Sequence, residues 1–237
     1  LEPDPDPKYN LSERMTKTIG EIETSVIKNH DRIDQNRLRA YLLIKSKKYS
    51  QSIVFFQKIK SKAEHDYAQM ANAHLQLGKK NDALRVLREG VERHSSNLML
   101  QNNLAMTTFL TGAFQLENKY EYDPALMKEA KAMLEKALRA GGGWKIRTNL
   151  AAVEASLQNY EGAEKNYLEA LKGSEYDPEL SYRIAEFYHR RKNFSEAMKY
   201  YLFTRERLKE VRKPAAAKRL NKEIEKRLTA VKQGKTL

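Results

Sequence analysis

The 237-residue chain contains no cysteine. Disulfide staples, thiol nucleophiles and thiolate metal sites are therefore excluded. Glycine and proline are sparse, at 10 and 6 residues, so long segments run without a helix breaker. No run of apolar residues reaches the length of a membrane-spanning helix. Sequence signatures of chemistry are missing as well. The histidines His30, His65, His74, His94 and His189 are scattered, without the His-Glu-x-x-His spacing of a metal site. Gly141-Gly142-Gly143 lacks the lysine and the preceding strand of a phosphate loop, and reads as the end of a helix. There is no Gly-x-Ser-x-Gly elbow, and no carboxylate pair stands apart from ordinary helix surface. No catalytic residue, metal ligand or cofactor is assigned, and the chain is expected not to be an enzyme.

What the chain does have is a register of small residues. Ala40, Ala71, Ala105, Ala151 and Ala185 each open a unit. A second small residue follows 12 positions later at Ser52, Ala83, Ala163 and Ala197, and 25 later at Ala130. Four further on stands a bulky residue: Phe56, Leu87, Leu134, Tyr167 or Tyr201. The step is 34 residues from Ala71 to Ala105 and again from Ala151 to Ala185. Such a period marks a stack of helix pairs. Small residues let two helices approach, and the bulky one fills the gap to the next pair. Turn signals separate the helices at Ser46-Lys47-Lys48, Gly78 to Asn81, Gln158-Asn159 and Lys192-Asn193. Asp123-Pro124 and Asp177-Pro178 read as an N-cap followed by an N1 proline. No sustained β alternation is visible, and the predicted class is all-α.

On these residues the chain resembles the tetratricopeptide repeat (TPR) family. Residues Leu150, Ala151, Tyr160, Ala163, Tyr167 and Ala170 match its pattern in the fourth unit, and Ile184, Ala185, Tyr188, Phe194, Ala197 and Tyr201 in the fifth. The second unit matches at Tyr67, Met70, Ala71, Gly78, Ala83, Leu87 and Gly90. The resemblance implies a right-handed TPR superhelix, an α-α solenoid of about five helix-turn-helix repeats with N- and C-terminal capping helices.

The expected organisation is an extended Pro-rich tether over 1–10, an N-terminal helix over 11–32, the array over 33–211 and a basic capping helix and tail over 212–237. Leu11, Met15, Ile19, Ile22 and Val26 form the stripe of the first helix. Leu220, Ile224, Leu228 and Val231 form that of the last. The third repeat holds an insertion near 113–122. It reads either as a first helix running past Gly112 into a loop, or as a protruding binding loop. In both readings Phe114 and Leu116 tuck against the solenoid.

The resemblance implies a non-enzymatic scaffold that binds a peptide or partner protein in the concave groove. The groove residues it points to are Arg37, Tyr41, Ala68, Asn72, Asn102, Met106, Phe109, Lys145, Thr148, Ala152, Tyr182, Glu186 and His189. Assembly of a bacterial envelope or motility machine is the expected setting. The Pro-broken acidic start reads as a tether behind a removed targeting segment or as an arbitrary boundary. The first reading favours a periplasmic or envelope-associated location over a cytoplasmic one.

Charge supplies an alternative. Between Arg183 and Arg227 there are 15 Lys/Arg and 6 Asp/Glu, a net of +9 out of the chain's +13, and Lys45 to Lys62 holds six lysines and no acid. A basic surface at Lys218, Arg219, Lys222, Lys226 and Arg227 suits an acidic protein or, less well, nucleic acid.

Overall fold

The computed structural model describes residues 34–116, 119–210 and 214–235. The expected tether over 1–10 and helix over 11–32 lie outside the described residues, as do the side chains of Phe114 and Leu116. The chain divides into two compact units, Leu1–Thr107 and Thr108–Leu237.

In the first unit, α1 (Gln35–Lys45) packs on α2 (Tyr49–Lys58) and α3 (Glu64–Gln76) on α4 (Lys80–Arg93), with α2 also against α3. The next helix, α5 (Leu98–Gly112), carries the chain across the boundary between the units. The second unit continues with β1 (Ala113–Leu116), β2 (Lys119–Tyr122) and α6 (Pro124–Arg139). It then has α7 (Trp144–Ser156) paired with α8 (Tyr160–Gly173), and α9 (Pro178–Arg190) paired with α10 (Phe194–Leu208). A final helix, α11 (Pro214–Lys232), packs on α10. Among the described residues, no helix is long and apolar enough to cross a membrane.

All fifteen residues of the small-small-bulky register are buried, Tyr167 being the most exposed at 7%. Close approach of paired helices is visible at Gly90 of α4. A Cβ there would stand 2.9 Å from Tyr67 Cβ on α3, so only glycine fits without movement.

The connection inside four helix pairs has one backbone solution. Lys47, Gly78, Gln158 and Lys192 each take a positive φ, at +57°, +73°, +61° and +60°. The residue after each lies near φ −80° to −90° with ψ between 63° and 76°, and the second helix starts there. Asn159 and Asn193 at that place accept from the amides of Gly162 and Glu196. Asp123 and Asp177 cap α6 and α9 ahead of their N1 prolines.

The third repeat corrects one reading of its insertion, the helix running past Gly112 into a loop. Helix α5 stops at Gly112, and the insertion is an antiparallel hairpin, with Ala113 opposite Tyr122 and Leu116 opposite Lys119. Its ends meet where the Asp123 amide donates to the Gly112 carbonyl at 2.8 Å. Helix propagation fails at Gly112 because the chain there lies against α6. A Cβ on Gly112 would come within 2.8 Å of Leu126 Cβ and 2.9 Å of Met127 Cε. Beyond it, Phe-Gln-Leu and Lys-Tyr-Glu-Tyr alternate with period two, which suits strands. The all-α class therefore holds for the repeats, with this hairpin as an ornament.

Candidate interaction surface

The first helix of each pair turns its alanine toward its partner, and the expected groove residues stand on another side of it. In the first unit that side is partly occupied from within. Arg37 Nε donates to Asp66 Oδ1 and Oδ2 at 3.1 and 3.0 Å, and its Nη2 donates to the Ser61 carbonyl at 2.7 Å. Asp66 Oδ2 also accepts from the Ala63 amide, at 2.8 Å, at the start of α3. The carboxylate is 1% exposed and the guanidinium side chain 37%. The hydrogen bond to Asp66 outweighs burial and holds the Arg37 guanidinium above its ordinary pKa. Arg37, expected to face a ligand, is thus the clasp between α1 and α3. Tyr41 meets Phe56 edge-on at 5.5 Å, and burial, followed by the charge of Asp66, pushes its phenol up to about 12. Ala68 is half-buried and Asn72 is exposed. On α5, Asn102, Met106 and Phe109 are half-buried, and the Phe109 ring stacks on Tyr122 of the hairpin at 6.0 Å.

In the second unit the expected residues separate into three kinds. Lys145 is exposed, its ammonium 5.4 Å from the centre of the Trp144 ring, and Ala152 is half-buried. Thr148 is 4% exposed and its hydroxyl donates to the Trp144 carbonyl at 2.8 Å, so it belongs to the helix and not to a groove. Tyr182 and Glu186 are half-buried because α11 reaches them. Arg227 Nε donates to Tyr182 Oη and its Nη2 to Glu186 Oε1, both at 3.5 Å, while Glu223 holds the same guanidinium at 3.2 Å. Arg227 is therefore part of this face and not of the exposed basic surface where its sequence neighbours stand.

His189 is fully buried, which removes it from the ligand side. Its Nε2 lies 2.8 Å from the Lys235 carbonyl and its Nδ1 lies 3.1 Å from Tyr201 Oη. A carbonyl only accepts, so Nε2 is the nitrogen that donates to Lys235, and Nδ1 faces the Tyr201 hydroxyl.

A buried acid escaped the sequence reading. Glu154 on α7, its side chain 7% exposed, meets Lys131 Nζ of α6 at 3.2 Å. It also accepts from Asn166 Nδ2 of α8 at 2.8 Å. Arg147 binds Asn166 from the other side and pairs with Glu169. The signal was present: Glu154 stands three residues after Ala151, the place where the neighbouring repeat has Tyr188. A carboxylate at a core position of the register asks for partners. No group of three or more His, Asp or Glu among the described residues is placed to hold a metal ion.

Residues 154–202, the segment from this acid to α10, match the family described as tetratricopeptide repeat. That segment carries the tetratricopeptide repeat pattern. Solved structures with the TPR fold extend the likeness along the chain. A thermophilic TPR protein of Thermus thermophilus, TTC0263, is 22% identical over 83% of this chain and all of that one, with a TM-score of 0.67. MamA is 15% identical, covering 71% of this chain and 95% of that chain, at a TM-score of 0.55. YrrB, described as a TPR protein with an unusual peptide-binding site, is 11% identical over 69% of this chain and 79% of that one, at 0.50. No curated protein matches the sequence. At these identities the shared property is the fold, a TPR solenoid, the architecture of interaction scaffolds.

Proposed function

We propose that the chain is a non-enzymatic interaction module that holds peptide segments of partner proteins on the ligand-facing sides of its first-of-pair helices. The observation that carries this reading is the mixed, half-open surface left after the register has buried its alanines. The first unit offers Tyr41 and Asn72, and the second, by itself, offers Lys145, Ala152, Tyr182 and Glu186. An amide and a phenol in one unit, and a cation, a phenol, a carboxylate and a small apolar group in the other, suit an extended or helical peptide better than a small molecule. The unusual peptide-binding site of YrrB supports the same use of this fold.

The test is capture of partners from a native lysate by the full chain. Truncating a ligand-bonding side chain typically costs about 1–3 kcal/mol of binding, and tyrosine is a frequent hot spot. Asn72→Ala with Tyr182→Ala should fold normally and lose the main captured protein. Gln57→Ala with Lys165→Ala, on exposed sites of second-of-pair helices, should retain it. Capture unaffected by the first pair and abolished by the second would overturn the reading.

A further inference from the structure

Several exposed cations on the described helices are matched by a carboxylate one turn away. Arg85 meets Asp82, Arg93 meets Glu89, Arg183 meets Glu179, Lys199 meets Glu196 and Lys209 meets Glu206. On helix α11 three lysines stand in one row and are left almost without such partners. Its acids are committed elsewhere, Glu223 to Arg227 at 3.2 Å and Glu225 to Arg205 of α10 at 3.2 Å. Lys218, Arg219 and Lys222 are exposed and have no ion pair among the described residues. Lys226, 66% exposed, has only a 3.9 Å approach from Glu223.

Lys218, Lys222 and Lys226 recur every fourth residue, so they form one row with a pitch of about 6 Å and a length of about 12 Å. Like charges at this spacing do not stabilise the helix that carries them. Its backing is firm, since Ala217, Ile224, Leu228 and Val231 on the other side of α11 are buried in the core that includes α9 and α10. Arg227 is engaged with Tyr182 and Glu186, so the row is separate from the ligand face proposed above.

We propose that the Lys218–Lys222–Lys226 row is a docking surface for an acidic protein segment whose carboxylates recur at about 6 Å, the pitch of glutamate at every fourth position of a helix. Between Pro214 and Lys232 there is no aromatic residue on which a base could stack. The row is therefore poorer in what single-stranded nucleic acid requires.

The full chain is titrated with three fluorescent probes at about 50 and 200 mM salt. One is an alanine-rich helical peptide with glutamate at every fourth position. The second has the same composition with its glutamates clustered. The third is a single-stranded oligonucleotide of mixed sequence. The regular peptide should bind about tenfold more tightly than the clustered one. Lys218→Glu with Lys222→Glu and Lys226→Glu should remove that advantage, and Lys222→Gln alone should reduce it, with unchanged circular dichroism in both. Asn72→Ala with Tyr182→Ala should leave it intact, which keeps this result independent of the ligand face. Equal binding of the two peptides, tighter binding of the oligonucleotide, or an unaffected charge-reversed variant would each overturn the proposal.

Discussion

Two clasps tie a first-of-pair helix to a later one, and they differ in depth. Between α1 and α3 the cation comes from the earlier helix, and the Asp66 carboxylate is sealed at 1% exposure with contacts of 3.0–3.1 Å. Between α9 and α11 the acid comes from the earlier helix. Glu186 and Arg227 keep 23% and 30% of their side chains exposed and meet at 3.5 Å. The same connection is thus made once as a multiply bonded joint around a sealed carboxylate and once as a long pair with both side chains partly exposed. A buried carboxylate that loses its partners or its site is expensive, whereas a hydrated pair is worth little and exchanges readily with a ligand's own charges. The first clasp is structural, and the second lies on a face that a partner can still reach.

The largest expected effect tests that difference directly. Asp66→Ala leaves Arg37 without its carboxylate and uncaps α3, and should cost about 3 kcal/mol of unfolding free energy. Glu186→Ala should cost about 1 kcal/mol or less. Urea denaturation of both variants measures the pair. Equal losses would mean that burial does not separate the two clasps.

The repeats themselves should not differ between the ends. Ala71 and Ala185 are 2% and 0% exposed at the same register position. Ala71→Leu and Ala185→Leu should each overpack their helix pair at about 1–3 kcal/mol. A large effect at one end with none at the other would separate the two repeats despite their shared pattern.

That pattern is also why the fold was readable. A small residue followed 12 and 16 positions later by a small and a bulky one constrains a helix pair through its own two helices, so the information is local. The surroundings of the expected groove residues are fixed by helices further along the chain. Nothing near Arg37 in sequence announces Asp66, and nothing near Tyr182 announces Arg227 or near His189 the Lys235 carbonyl. Thr148 was lost for a different reason, since a threonine can satisfy its hydroxyl on its own helix and sink. The hairpin escaped because each strand has four residues, too few for alternation to stand out from helix and loop.

The two clasps also predict different alkaline behaviour. Tyr41 lies beside a carboxylate and its phenol is pushed up to about 12, by burial first and then by the charge of Asp66. Tyr182 is also raised by burial, but the hydrogen bond from Arg227 opposes the shift. A phenol with a higher pKa folded than unfolded contributes stability that is complete below the ordinary value of 10. For Tyr41 that stability is lost as pH rises through about 12. Tyr41→Phe should therefore move the alkaline unfolding limb to higher pH. Absorbance titration of Arg227→Ala should show Tyr182 ionising later than in the parent chain. Earlier ionisation in that variant would mean that Arg227 does not act on this phenol.

The smallest effects belong to the turns, where both units use the same left-handed residue. Gly78 takes φ +73° with open space where a Cβ would stand, so Gly78→Ala meets no neighbour and suffers only the backbone penalty. For an L-residue that penalty is roughly 1–2 kcal/mol, offset by the roughly 0.5–1 kcal/mol that glycine loses in the unfolded chain. The net cost should be about 1 kcal/mol or less. Gln158 and Lys192, at +61° and +60°, already bear this strain, imposed by the packing of α7 on α8 and α9 on α10. Gln158→Gly and Lys192→Gly should therefore gain about 0.5 kcal/mol each, visible as a small rise in the urea midpoint at unchanged slope. Asn159 and Asn193 follow these positions and cap the next helix, so the gain should persist in both repeats without loss of the caps. A loss of stability on glycine substitution would show that the side chains of Gln158 and Lys192 return more through local contacts than their backbone costs. The turn would then be held by sequence, and not imposed by the helices it joins.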